Sequence, residues 1–153
     1  MHKCKCNLEE MLLKKGQISE EEILKIIAMF CLPLDNIHQK GVVHRDFKPQ
    51  NILVSSIGSY DILLLTDFGV SKQKSLTFST TVNDKMTPQY ASVEQIRCQE
   101  AEPYFDMWAV GVTIYRMMTG KLPKFIGSTF EPLPTTYSRE LRDLVDKLLT
   151  LHP

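Results

Sequence analysis

The composition of the segment from Asp106 to Gly120 predicts a helix. Apolar side chains would lie on nearly every side of this helix. A helix that is hydrophobic all round is stable in water only when other elements cover it. We therefore predict a mostly buried helix over these residues. Its large apolar members are Trp108, Val110, Val112, Ile114, Tyr115, Met117 and Met118.

A long amphipathic helix is predicted before this segment. Ser19 and Glu22 form a capping box at its start, and Gly41 marks its end. Pro33 lies near the middle, where the ring clashes with the preceding turn, so we expect a kink there. Its apolar residues recur at helical spacing: Ile23, Ile26, Ile27, Phe30, Leu34 and Ile37.

Two shorter helices are predicted near the two ends of the chain. Asn7 and Glu10 form a box-like cap for a helix over Leu8 to Lys15, which Gly16 ends. Ser138 caps a last helix. One face of this last helix is expected to carry Leu141, Leu144, Val145, Leu148 and Leu149.

The segment after Gly41 changes to short apolar pieces that are typical of strands. Ile52 to Val54 and Ile62 to Thr66 flank a turn signal, which predicts a small hairpin. Residues 67 to 103 are polar, rich in Ser and Thr, and too long for a plain connection, so we expect an irregular functional loop. The predicted fold class is α+β, mainly α.

Composition and charge exclude several classes of function. The 153 residues carry 18 Lys and Arg against 18 Asp and Glu, which predicts one domain or part of one, without the basic face that nucleic-acid binding needs. The same balance argues against a membrane-surface partner. The longest apolar run, Ile26 to Leu34, is about half the length that crosses a bilayer.

The cysteines indicate a reducing compartment. Residues 4, 6, 31 and 98 are cysteines, and the N-terminus has no apolar core of a signal peptide, so we expect a cytoplasmic or nuclear protein. Cys4 and Cys6 lack a second Cys/His pair at zinc-site spacing, so they are interpreted as two semi-exposed thiols.

Two motifs carry the chemistry. His44-Arg45-Asp46-Phe47-Lys48-Pro49-Gln50-Asn51 lies between the long helix and the hairpin, and Asp67-Phe68-Gly69 follows the hairpin. Together they resemble the signature of the eukaryotic protein kinases. The resemblance implies the larger, mainly helical lobe of a kinase, with the hairpin at the catalytic loop. Lys48 and Thr87 resemble the residues that the serine/threonine branch of the family carries at these positions.

The resemblance implies ATP and Mg²⁺ as cofactors and protein serine or threonine hydroxyls as substrates. Asp46 would accept or orient the hydroxyl proton, and Lys48 would be the cation near the γ-phosphate. Asn51 and Asp67 would be the oxygen ligands of Mg²⁺. Leu53 would form the apolar floor under adenine.

Further positions are implied to support or regulate the site. Asp106 would hold the backbone of the His44-Arg45-Asp46 turn, and Thr87 would contact the catalytic Asp and Lys. Arg45 would pair with a phosphate that an upstream activating kinase places on the activation loop. The remaining implied structural or regulatory residues are Phe68, Gly69, Thr80, Thr81 and Glu94.

The resemblance departs from the family pattern in the nucleotide clamp. The 153 residues contain no G-x-G-x-x-G loop and no Val-Ala-Ile-Lys-like strand, so residues 1–153 are interpreted as a partial kinase domain, from about the hinge to the penultimate helices. The stretch between Gly120 and Ser138 is short and is expected to lack a helix that binds substrates and partners. Two interpretations stay open here: a serine/threonine kinase whose 153 residues alone are inactive, and a truncated, catalytically inactive interaction module.

Overall fold

The computed structural model describes residues 6–57, 60–67, 72–73, 87–97, 100 and 102–150. Five α-helices lie within these ranges: α1 Leu8–Lys15, α2 Glu20–Gln39, α3 Val93–Ile96, α4 Pro103–Thr119 and α5 Arg139–Leu148. Short 3-10 turns cover Pro49–Asn51 and Pro88–Tyr90. Within the described ranges no helix combines the length and the apolar composition that a bilayer crossing requires.

Within the described part of the chain, the strands form three small antiparallel sheets. They are β1 Cys6–Asn7, β2 Val42–Val43, β3 Ile52–Ile57, β4 Tyr60–Leu65, β5 Lys72–Gln73, β6 Phe125–Ile126 and β7 Thr129–Phe130. β3 is the central strand of the largest sheet, between β1 and β4, and Ile52 pairs with Leu65 at its start. β2 pairs with β5, and β6 pairs with β7. The predicted fold class, mainly helical with a small hairpin, is confirmed.

The predicted caps are confirmed at the first two helices. The Asn7 side chain accepts a hydrogen bond from the Glu10 nitrogen at 2.8 Å, and α1 ends at Gly16, whose φ is 69°. The Ser19 hydroxyl accepts from the Glu22 nitrogen at 3.3 Å. These side chains satisfy nitrogens that have no partner within the helix, so each helix begins where its cap stands.

Helix α2 runs without interruption through Pro33. Its buried positions are Ile23, Ile26, Phe30 and Leu34, while Ile27 and Ile37 pack partly buried against the core. The apolar stripe predicted from spacing is therefore the face that meets the core. The kink at Pro33 stays a prediction.

Helix α4 is the buried centre of the molecule, as its composition predicts. Twelve of its residues are buried: Phe105, Asp106, Trp108, Ala109, Val110, Gly111, Val112, Thr113, Ile114, Tyr115, Met117 and Met118. The predicted start at Asp106 was wrong, because Pro103 occupies the first turn, where a missing N–H costs nothing. Gly120 ends the helix in the left-handed conformation, with a φ of 71°.

Helix α5 packs so closely on α4 that a side chain at Gly111 would collide with it. A Cβ atom built at Gly111 would lie 2.8 Å from the Leu148 Cβ. The Ser138 hydroxyl accepts from the Leu141 nitrogen at 3.2 Å, which confirms the predicted cap. Leu144, which belongs to the apolar face predicted for this helix, is 37% exposed.

The segment from residue 67 to 103 was wrongly predicted to be irregular throughout. It contains β5, the 3-10 turn Pro88–Tyr90 and α3 within its described part. The stretch between Gly120 and Ser138 holds the hairpin of β6 and β7, which the sequence did not predict. Phe125 of this hairpin stacks on Trp108 of α4, with ring centroids 5.4 Å apart.

Candidate active site

The first support of the site is the Asp106 carboxylate, which is fully buried in the first turn of α4. Its Oδ2 accepts a hydrogen bond from the His44 nitrogen at 2.8 Å, and its Oδ1 accepts from the Arg45 nitrogen at 2.8 Å. The backbone of the loop after β2 is therefore fixed to the central helix. This is the contact that the resemblance implies for Asp106.

A second residue shares this carboxylate. His38, in the last turn of α2, places its Nε2 atom 2.7 Å from Asp106 Oδ2. The sequence did not point to His38, since a histidine in the polar end of a helix resembles any solvated side chain. Only the tertiary structure shows that α2 and the loop after β2 both contact the Asp106 carboxylate of α4.

The His44 ring joins the loop to the end of β4. Its Nε2 lies 2.9 Å from the Thr66 carbonyl oxygen, and its Nδ1 accepts from the Asp46 nitrogen at 3.3 Å. Since the carbonyl can only accept and the Asp46 nitrogen can only donate, the Nε2 atom carries the proton. His44 is fully buried, and in this tautomer its ring holds the Asp46 nitrogen and the Thr66 carbonyl oxygen together.

Four hydrogen-bond donors surround the Asp46 carboxylate, which is 5% exposed. Oδ1 accepts from the Thr87 nitrogen at 3.2 Å and from the Thr87 hydroxyl at 2.9 Å. Oδ2 accepts from Asn51 Nδ2 at 2.9 Å and forms an ion pair with Lys48 Nζ at 2.7 Å. Lys48 Nζ also donates to the Thr87 hydroxyl at 2.6 Å, which closes the network. The carboxylate is thereby held in one orientation.

Asn51 and Asp67 lie at the same end of the hairpin. The Asn51 carbonyl oxygen accepts from the Thr66 nitrogen at 2.9 Å, and Asp67 follows directly with an exposed side chain and a φ of 62°. Asn51 Nδ2 donates to the carbonyl oxygen of Asp46 at 2.8 Å as well as to its Oδ2. Because the amide nitrogen is used there, Oδ1 is the side-chain atom of Asn51 that could serve as a metal ligand.

This donor set fits Mg²⁺. The ion prefers hard oxygen ligands and usually takes one or two from the protein, the others coming from water and substrate phosphates. The Asn51 amide oxygen and the Asp67 carboxylate are oxygens of that kind on neighbouring segments. They are the residues that would hold the metal.

The loop is also anchored by apolar contacts. Phe47 is fully buried and packs edge to face on Phe30 of α2, with ring centroids 5.1 Å apart. Leu53, half-buried in the central strand β3, pairs with Asn7 of β1 and Leu64 of β4. The site therefore rests on both the helical core and the largest sheet.

Not all of the predicted residues fall within the part of the chain that the structure describes. Phe68, Gly69, Thr80 and Thr81 lie outside the described residues. Glu94 lies half-buried in the first turn of α3. The next residue, Gln95, is a second one to which the sequence did not point. It is 2% exposed and donates from Nε2 to the Arg45 carbonyl oxygen at 2.6 Å.

Comparison with known proteins identifies the family. The family model described as "Protein kinase domain" matches residues 1–153. A protein of Trypanosoma brucei brucei whose name describes a serine/threonine-protein kinase is 32% identical over 96% of this chain and 38% of its own length. Serine/threonine-protein kinases drp72 of Corynebacterium efficiens is 32% identical over 96% of this chain and 30% of its own length.

A third relative, serine/threonine-protein kinase pkn3 of Myxococcus xanthus, is 33% identical over 76% of this chain and 22% of its own length. The chain thus spans between about a fifth and two fifths of the length of these three relatives. The family match covers the His44–Asn51 loop and the hairpin together. The chain belongs to the protein kinase family, in its serine/threonine branch.

Proposed function

We propose that the protein transfers the γ-phosphate of ATP to serine and threonine hydroxyls of protein substrates, and that Asp46 accepts or orients the hydroxyl proton. The observation that carries this proposal is the closed network of Thr87, Lys48 and Asn51 around the buried Asp46 carboxylate. Phosphoryl transfer needs positioning and charge stabilisation more than covalent chemistry. A fixed carboxylate beside a cation supplies both.

The roles of the other residues follow from their contacts. Lys48 is bonded to both Asp46 and Thr87, so its charge stands beside the place where the hydroxyl would meet the phosphate. Asn51 and Asp67 would hold Mg²⁺, which would neutralise phosphate charge when bound together with ATP. Leu53 lies in β3, directly after the loop, and is proposed to face the adenine.

The switch is proposed to lie in the activation loop. A phosphate placed on Thr80 or Thr81 by an upstream kinase brings about −1.5 to −2 charge and would pair with Arg45. Replacement of both threonines by Ala should remove activation by that kinase, and Arg45→Ala should add no further loss to the double variant. Full activation of the Ala variants would contradict the switch.

The test of the function is a phosphotransfer assay on the full-length protein with Mg-ATP and a generic basic protein substrate. Asp46→Asn should abolish transfer, whereas the matched surface variant Asp143→Asn should leave it unchanged. Transfer that persists in Asp46→Asn, or its absence from a folded wild-type protein, would contradict the proposal. The expectation that residues 1–153 alone do not transfer phosphate stays a prediction, which the same assay tests.

A further inference from the structure

Gln95 connects α3 to the backbone of the catalytic loop. Its Nε2 atom donates to the Arg45 carbonyl oxygen at 2.6 Å, and its own backbone nitrogen donates to the Ser92 hydroxyl at 3.2 Å. Gln95 is 2% exposed and Ser92 is 1% exposed. Because a carbonyl oxygen only accepts, the amide nitrogen must face it. The contact is a buried, single-orientation hydrogen bond between two segments 50 residues apart.

The backbone that Gln95 holds is strained. Arg45 has a φ of 69°, in the left-handed region that costs a non-glycine residue free energy and persists only where its surroundings impose it. Asp106 binds the nitrogen of Arg45, which belongs to the peptide group before its Cα. Gln95 binds the carbonyl oxygen, which belongs to the peptide group after it. With both peptide groups fixed, φ and ψ of Arg45 are both determined.

The peptide group that Gln95 holds also contains the nitrogen of Asp46, which donates to His44 Nδ1 at 3.3 Å. Rotation of this group would move the start of Asp46 and break the bond to His44. The direction in which the Asp46 carboxylate leaves the backbone therefore depends on a side chain of α3, which follows the segment that contains Thr87.

We propose that Gln95 is a positioning residue for Asp46. It fixes the Arg45–Asp46 peptide group, so that the position of the Asp46 carboxylate depends on the position of α3. This inference rests on the proposed function for its effect on rate, but its structural part does not. A displacement of a reacting group by about 1 Å can cost on the order of 100-fold in rate. Loss of the donor should accordingly lower kcat by about 10- to 100-fold.

Two variants of similar shape separate hydrogen bonding from packing. Gln95→Met fills nearly the same volume without a donor. Gln95→Glu keeps the shape, but its carboxylate cannot donate until it is protonated, and burial beside a carbonyl oxygen raises the pKa of an introduced carboxyl. Gln39→Met, on the exposed side of α2, is the matched control.

Two measurements on the full-length protein test the proposal: kcat and KM between pH 6 and pH 8.5, and hydrogen exchange of the amides from Arg45 to Lys48. We expect Gln95→Met to lose kcat at every pH with little change in KM, and to exchange these amides at least 10-fold faster. Gln95→Glu should resemble Gln95→Met at pH 8.5 and recover toward wild type at pH 6. Gln39→Met should match wild type in both measurements.

Hydrogen exchange can be measured in a protein that has no activity, so it tests the inference independently of the proposed function. Failure of the proposed function would be seen in the other assay, as phosphate transfer that persists in Asp46→Asn. Unchanged exchange in Gln95→Met overturns the inference whatever the activity. If Gln95→Met does not fold, Gln95→Glu decides: exchange and kcat that do not approach wild type at lower pH overturn the inference.

Discussion

The Thr87 hydroxyl donates a 2.9 Å hydrogen bond to Oδ1 of Asp46, a residue 41 positions earlier in the chain. The same hydroxyl accepts from Lys48 Nζ at 2.6 Å. One oxygen atom thus joins the cation and the carboxylate that the proposed chemistry uses together. The segment before α3 is in this way part of the hydrogen-bond network of the loop from His44 to Asn51.

Replacement of Thr87 should lower phosphotransfer. Thr87→Ala removes the donor to Asp46 and the acceptor for Lys48. A loss of about 1 to 2 kcal/mol of transition-state stabilisation corresponds to roughly a 5- to 30-fold lower kcat. Thr87→Ser keeps the hydroxyl and should retain most of the rate. A steady-state assay at fixed phosphorylation state checks this, and equal rates for the two variants would contradict it.

Asp106→Asn should destabilise the fold. Both carboxylate oxygens accept from backbone nitrogens, and an Asn side chain has only one oxygen to accept with. We expect the free energy of unfolding to fall by about 2 to 4 kcal/mol, measured by urea titration. Asp143→Asn, at the surface of α5, is the control and should leave the urea midpoint unchanged. An equal midpoint shift in both variants would show that the buried contacts do not matter.

The ion pair of Glu9 and Arg116 should contribute to stability. It joins α1 to α4 through two hydrogen bonds, and its side chains are only 15% and 17% exposed. A double-mutant cycle with Glu9→Gln and Arg116→Met should give a coupling energy of about 1 to 3 kcal/mol. The exposed pair of Glu21 and Lys25 is the matched control, with no measurable coupling expected. Equal coupling in the two cycles would contradict the effect of burial.

Tyr90 should make the fold sensitive to alkali. Burial raises the pKa of Tyr90 from 10.0 to about 12. Because the pKa is higher in the folded state, this contribution is fully present below pH 10 and is lost as the pH rises through 12. Wild type should therefore lose about 2 kcal/mol more than Tyr90→Phe between pH 9 and pH 12. Parallel unfolding titrations measure the difference, and identical pH dependence would refute the prediction.

Gly111→Ala should destabilise the protein although Ala is the better helix former. The added Cβ would lie 2.8 Å from Leu148 Cβ and 2.9 Å from Leu149 Cδ2, closer than such atoms approach. We expect a loss of about 1 to 3 kcal/mol, as in other overpacked cores. Thermal unfolding measures it, with Met107→Ala on the same helix as a control at a partly exposed position. A stabilised Gly111→Ala would mean that α4 and α5 separate freely.

Local sequence determined much of the fold. The caps at Asn7, Ser19 and Ser138 and the stop at Gly16 were predicted correctly, because a cap contacts only the first turn of its own helix. The strands of the hairpin and the burial of α4 follow equally from composition and spacing. Leu144 belongs to the predicted apolar face but is 37% exposed, since spacing predicts the face of a helix and not the width of the surface that covers it.

The site divides in the same way. The spacing of Asp46, Lys48 and Asn51 in one loop predicted the chemistry that we propose, because the three lie within six residues of each other. Tertiary structure alone decided that Gln95 holds the Arg45 carbonyl oxygen and that His38 shares the Asp106 carboxylate. These contacts join segments 50 and 68 residues apart. A polar side chain's sequence neighbours do not show whether it meets water or a buried carbonyl; the packing of α2, α3 and α4 around the loop determines that.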